Sequence, residues 1–350
     1  MRSSTRKWTT GGILAAALAA GGVAANFGAA AQDQSELNLY SARHYQTDQA
    51  LYRGFTERTG IEINLIEGNE DALIERIKSE GVNSPADVLI TVDAGRLWRA
   101  EQAGLFQAIT SETLERRIPA NLRHPEGRWF GLSQRARLIF YDKRRFSAGD
   151  ISRYEDLADP KWRGEICIRS SGNIYNLSLL GSMIASRGAE AAEAWAKGVV
   201  ANFARPPQGG DTDQLRAVAA GECGVAVANS YYYARLLTSE DAADRAVADK
   251  LGVVFPNQNG RGTHVNISGA GVLKTADHTD AAVRFLEYLA SDEAQRIFAD
   301  GNNEYPVVEG VEPNAALKSL GEFKTDALNV AQLGENQPEA QRIFDRAGWK

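Results

Sequence analysis

Gly224-Val225-Ala226-Val227-Ala228-Asn229-Ser230-Tyr231-Tyr232-Tyr233-Ala234-Arg235 decides how the rest of the chain is read. The first five residues are small and apolar, as in a buried strand, and from Ser230 the pattern turns helical. Three consecutive phenols therefore stand where a strand hands over to a helix. In open α/β sheets, ligands sit beyond the carboxyl ends of strands, at such corners. A phenolate is a hard oxygen donor and suits a hard cation. The corner is expected to close on a ferric ion, and a helix starting near Tyr231 would carry Arg235 on the same face by i,i+4 spacing.

Outward from this corner, strand-like and helix-like segments alternate. Residues 37–41 read as a strand, and 47–58 as a helix with Ala50, Leu51 and Phe55 at helical spacing, ended by Gly60. Residues 61–66 alternate as a half-buried strand, 71–80 form a helix closed by Gly81, 86–92 a strand, and 94–102 a helix that ends at Gly104. This order implies a mostly parallel sheet covered by helices. The long strand-like run from Leu132 to Tyr141 reads as a crossover between two lobes. A second α/β unit continues to about Phe255, and a glycine-rich turn over 257–262 leads into a strand over 265–273 that returns to the first lobe. Helices follow over 280–289 and 293–299. The last forty residues, helix-like and polar, are expected to pack on the outside.

A length of 350 residues suggests two domains. Residues 1–31 differ from the rest: Arg2, Arg6 and Lys7 precede an apolar small-residue run, and Ala29-Ala30-Ala31 offers a cleavage site. This reads as a secretory signal peptide, which places the mature protein in the periplasm. The whole chain carries a net charge of −6; residues 1–31 hold three basic and no acidic residues, so the remainder carries −9. No basic footprint for nucleic acid is present. The only two cysteines, Cys167 and Cys223, lie in strand-like runs, and in an exported protein an even pair reads as one disulfide. Two buried thiols are the alternative.

Three corners carry ligand-type side chains: Ser41-Ala42-Arg43-His44-Tyr45, Ser170-Ser171-Gly172-Asn173-Ile174-Tyr175, and the tyrosine triplet. One belongs to the first lobe and two to the second, so a ligand in the cleft would be gripped from both sides. Phenols titrate near pH 10, and a trivalent cation must deprotonate those it binds. Arg43, Arg135 and Arg235 are placed to offset phenolate charge or to hold an accompanying anion. A tyrosine run alone is more often core plus surface aromatics, and the Ser-Ser-Gly-Asn run would equally serve as an oxyanion site or a helix cap. Tyrosines at three equivalent corners shift the balance toward a metal.

The sequence resembles the ferric-iron-binding substrate-binding proteins of bacterial ABC transporters, from Leu37 to about Val308. The resemblance rests on residues 39–45 (LYSARHY), 84–88 (SPADV), 228–232 (ANSYY), 262–271 (GTHVNISGAG) and 303–307 (NEYPV). It implies a two-lobed class II periplasmic binding protein fold, α/β, with a hinge of two crossing strands and a ligand cleft between the lobes. Tyr231 and Tyr232 match the family's paired phenolate ligands, and His44 matches a histidine ligand of one branch. That branch also uses a glutamate just after the Pro-Ala-Asp-Val strand. Here the place reads Thr91-Val92-Asp93, so the acid is absent or shifted, and Asp93 reads as the cap of the next helix. The chain looks more like the tyrosine-rich branch, in which Tyr45 and Tyr175 join Tyr231 and Tyr232, with His44 an optional fifth ligand.

The expected organisation is therefore a signal peptide over 1–31, an N-terminal lobe from 36–134 and 260–305, and a C-terminal lobe from 135–259 and 306–350. The expected function is capture of Fe(III) in the cleft, with Fe(II) able to enter the same place, and delivery to an inner-membrane permease by a non-enzymatic monomer. An alternative keeps the fold and binds an oxyanion or small organic solute on the serine- and arginine-rich corners. No Ser-His-Asp grouping, P-loop or paired-carboxylate signature points to an enzyme.

Overall fold

In the computed structural model, the described residues are 35–43 and 45–350. The signal peptide expected over 1–31 and the residue His44 lie outside the described residues. Strand β1 (Glu36–Ser41) forms where its sequence predicts a strand, with Leu37, Leu39, Tyr40 and Ser41 all buried. Helix α1 (Asp48–Thr59) turns Leu51, Tyr52 and Phe55 inward and ends at Gly60, whose φ of 72° is the left-handed cap that glycine allows without steric cost. Then come β2 (Glu62–Glu67), α2 (Glu70–Glu80), β3 (Val88–Val92) and α3 (Ala94–Gln102). β1 pairs in parallel with β2 on one side and β3 on the other. A short helix α4 (Glu112–Arg117) leads to the 13-residue strand β4 (Phe130–Asp142).

The second unit holds β5 (Ile166–Cys167), α5 (Ile174–Arg187), α6 (Ala189–Ala201), α7 (Asp211–Ala220), β6 (Val225–Asn229), α8 (Ser230–Thr238), α9 (Ala242–Lys250) and β7 (Leu251–Val254). The chain then returns through β8 (Val265–Val272) and finishes with α10 (Thr279–Leu289), α11 (Asp292–Asn302), α12 (Ala315–Lys318), α13 (Ala331–Glu335) and α14 (Gln337–Ala347). Among the described residues no helix is long and apolar enough to cross a membrane.

The strands follow the order β2-β1-β3-β8-β4-β6-β5, with β7 also on β4. β4 is the expected crossover. Its first half, to Ala136, pairs with β8, and from Arg137 on it pairs with β6 and β7. The parallel β-α-β units lie on either side of it. The sheet is mixed rather than mostly parallel, because β4 and β8 pass between the halves and meet their neighbours antiparallel. The β-α-β order describes each half but says nothing of strands whose partners lie far along the chain.

The C-terminal segment also differs from the expectation of an outer, polar layer. α13 packs against both α3 and α5, and α14 against α5 and α6. Ile343, Phe344 and Trp349 are buried in a core built around Ile139, Tyr154, Trp162 and Trp195. The apolar residues recur at helical spacing but are diluted by the charges between them. Close backbone approach helps: a Cβ on Gly334 would stand 2.3 Å from Cβ of Trp98 on α3.

Cys167 and Cys223 form a disulfide, with their Cα atoms 5.9 Å apart and both residues buried. Cys167 ends β5 and Cys223 precedes β6. These strands pair in parallel, so the bond ties the end of β5, which leads into the Tyr175 corner, to the start of β6, whose far end carries the tyrosine triplet.

Candidate metal centre

Each expected tyrosine sits where a strand gives way to a helix. Tyr45 follows β1. Tyr175 is the second residue of α5, whose cap residue Asn173 accepts a hydrogen bond from the Tyr175 backbone N–H. Tyr231 and Tyr232 open α8 directly after β6. The corners meet: Tyr231 Oη donates to Tyr175 Oη at 3.2 Å, and the rings of Tyr231 and Tyr232 lie 4.2 Å apart between centroids. The Arg235 guanidinium stands 5.1 Å from the ring centroids of both Tyr45 and Tyr231, and 5.9 Å from that of Tyr232. One cation thus lies against tyrosines from both halves of the sheet. Tyr233 turns away into the core, over Phe140.

Positive charge surrounds the phenols. Arg43 lies 4.9 Å from the Tyr45 ring centroid, on the side held by buried carboxylates: its Nε donates to Asp48 at 2.7 Å and its Nη2 to Glu304 at 3.0 Å. Its Nη1 donates to Ser268 Oγ at 2.7 Å, which also accepts from Arg135 Nη1 at 3.3 Å. Arg135 is buried 5.9 Å from the Tyr175 ring centroid, and its Nε and Nη2 have no partner among the described residues. Arg43, Arg135 and Arg235 thus all stand beside the tyrosines of these corners.

Two further arginines were not read from the sequence. Arg137 and Arg169 lie 5.7 and 5.5 Å from the Tyr175 ring centroid. Arg137, fully buried, donates to Asp211 at 3.0 Å, to Asn229 at 2.9 Å and to Asn176 at 2.9 Å. Asn176 and Asn229 are adjacent in sequence to Tyr175 and to the start of α8, so one guanidinium fixes two corners. Two arginines two residues apart on a strand share a face, and that spacing in Arg135-Ala136-Arg137 was the available signal.

Burial raises the phenols of Tyr45, Tyr175 and Tyr231 above the ordinary tyrosine range. Neighbouring phenols add to this at Tyr175 and Tyr231, while Arg135 opposes it at both. Burial works to raise Glu304 too, but Arg43 holds it below its ordinary value, so it stays a carboxylate. Among the described residues no group of three or more His, Cys, Asp or Glu could hold a metal ion, which leaves the phenols as the clustered hard donors. Asp93 is not free to act as one. It caps α3, accepting from Gly95 N–H at 2.8 Å, and its carboxylate also accepts from Ser178 and Asn266.

Comparison with known proteins places the whole chain. Residues 83–325 match the family of bacterial extracellular solute-binding proteins. Iron uptake protein A2 of Synechocystis is 55% identical over 350 residues, covering 99% of both chains. Iron uptake protein A1 of the same organism is 55% identical over 318 residues, covering 91% of this chain and 88% of the other. A Trichodesmium protein solved in complex with iron and citrate ligands superposes with a TM-score of 0.88 at 60% identity, covering 90% of this chain and all of the other. The fold is accordingly the two-lobed class II binding-protein fold, and the chain belongs to the bacterial extracellular solute-binding protein family, in the group that holds the iron uptake and ferric iron-binding proteins.

Proposed function

We propose that this chain captures Fe(III) between its lobes through the phenolate oxygens of Tyr45, Tyr175, Tyr231 and Tyr232. The observation that carries the reading is the convergence of four tyrosines, from three strand-to-helix corners, on one nest of guanidiniums. Charge supports it. Fe(III) with four phenolates is one net negative, and the five arginines there outnumber the buried carboxylates Asp48, Asp211 and Glu304. Arg43, Arg135 and Arg235 offset the phenolate charge. His44 stands as an optional fifth ligand, and Fe(II) is the other oxidation state the cleft would admit.

The lobes of this reading are 36–134 with 260–305 and 135–259 with 306–350, closing about the crossing strands as hinge-type binders do. The protein is a monomeric carrier rather than a catalyst. It is exported to the periplasm by its N-terminal signal peptide, and it hands iron to an inner-membrane ABC permease. The names of its relatives support the cargo: two are iron uptake proteins, and others at 28% identity are major ferric iron-binding proteins.

Mature protein incubated with ferric citrate and then desalted is expected to retain one iron per chain. An oxyanion reading draws on the open edges of Arg135. Calorimetric titration of the iron-free protein with sulfate or phosphate separates the two: tight binding of either, with no iron retained, would replace the ferric reading.

A further inference from the structure

Asp93 does more than cap a helix. Its backbone has a φ of 85° and a ψ of 127°, a region that side-chain-bearing residues seldom occupy unless their surroundings hold them there. The surroundings are a chain of buried side chains. Ser178 Oγ donates to Asp93 Oδ1 at 2.6 Å, and Asn266 Nδ2 donates to Oδ2 at 2.9 Å. Gln337 Nε2 donates to Ser178 Oγ at 3.3 Å, and Gln337 Oε1 accepts from Arg99 Nη2 at 3.2 Å. Asp93, Ser178, Gln337 and Asn266 are each no more than 5% exposed. Gln337 reaches this place only because Gly95 has no side chain, since a Cβ there would stand 1.7 Å from Gln337 Nε2.

The members come from distant parts of the fold. Asp93 and Arg99 belong to the end of β3 and to α3, Asn266 to β8, Ser178 to α5 and Gln337 to the start of α14. Ser178 lies three residues past Tyr175 on the same helix, so both share one face. α13 is packed against α3 and α5 just beside this chain of contacts.

We infer that Asp93, Ser178 and Gln337 are positioning residues for the metal centre: they pin the first turns of α5, and with them the Tyr175 phenol, to the half of the molecule that carries Tyr45. This rests on the ferric reading for its consequence, but not for its geometry. None of the three contacts a tyrosine oxygen, so they act through the placement of α5. Buried groups that orient a metal ligand commonly change affinity by about 10- to 100-fold when removed.

The test is S178A, which deletes the hydroxyl with little loss of volume. Iron affinity by chelator competition is expected to fall at least about tenfold, with a weaker tyrosinate-to-iron absorption per bound iron. Lost thermal stability with wild-type affinity and absorption would overturn the inference. If S178A does not fold, Gln337→Ala breaks the chain one step further from the tyrosine and is read in the same way. A crystal structure of the folded variant gives a readout without iron. The Tyr175 to Tyr231 oxygen separation, 3.2 Å in the parent, is expected to widen. An unchanged separation overturns the inference even if the parent binds iron, and a widened one sustains it even if the ferric reading fails.

Discussion

Tyr232 is the most exposed of the paired phenols, half-buried beside the fully buried Tyr231. Substituting Phe removes one donor oxygen and leaves the ring contact with Tyr231. Because losing a supporting group already costs about 10- to 100-fold, Tyr232→Phe is expected to weaken iron binding by more than about a hundredfold in chelator competition, with a shifted and weaker colour. Arg137 carries a different kind of prediction. Arg137→Met would leave Asp211 fully buried without its strongest partner, and breaking such a pair costs about 3–5 kcal/mol. Chemical denaturation should show that loss. The tyrosines were legible because phenols are scarce and stood at strand ends. Arg137 and Glu304 were not, because their partners Asp211 and Arg43 lie 74 and 261 residues away along the chain. Asp93 was legible as a cap, but its bond to Ser178 was not.

At the scale of elements, the helices and strands of the first unit follow their sequence signals closely: apolar spacing inside α1, glycine at its end, alternation in the half-buried β2. What the periodicity left out was direction and partnership. β8 pairs with both β3 and β4, and only tertiary contact reveals that the pairing is antiparallel. The disulfide works at this scale too. It closes a loop of 56 residues and ties β5 to the start of β6. By restricting the unfolded chain it should contribute about 2–4 kcal/mol. The double variant Cys167→Ala, Cys223→Ala is expected to lower the denaturant midpoint accordingly, and an unchanged midpoint would deny the bond that role. α13 and α14 show why a polar-looking tail misleads: a few residues such as Leu333, Ile343 and Phe344 suffice for a buried face when one side of each helix holds them all.

For the whole molecule, the raised phenols give two opposite pH dependences. The folded iron-free protein holds the protons of Tyr45, Tyr175 and Tyr231 more tightly than the unfolded chain, in which phenols titrate near 10. Their contribution to stability is complete below about pH 10 and is lost as pH rises through the raised values. Iron must displace the same protons, so its affinity should rise with pH across the acidic and neutral range, with protons released on binding. A pH-independent affinity would argue against phenolate ligands. Two lobes joined by β4 and β8 would provide the cleft for the proposed exchange.

The most direct measurement is the visible absorption of the purified mature protein during titration with ferric citrate. The account predicts a phenolate-to-iron charge-transfer band that grows linearly and saturates at one equivalent. Iron bound without such a band, or no iron bound at all, would contradict tyrosinate coordination as the function of this cleft.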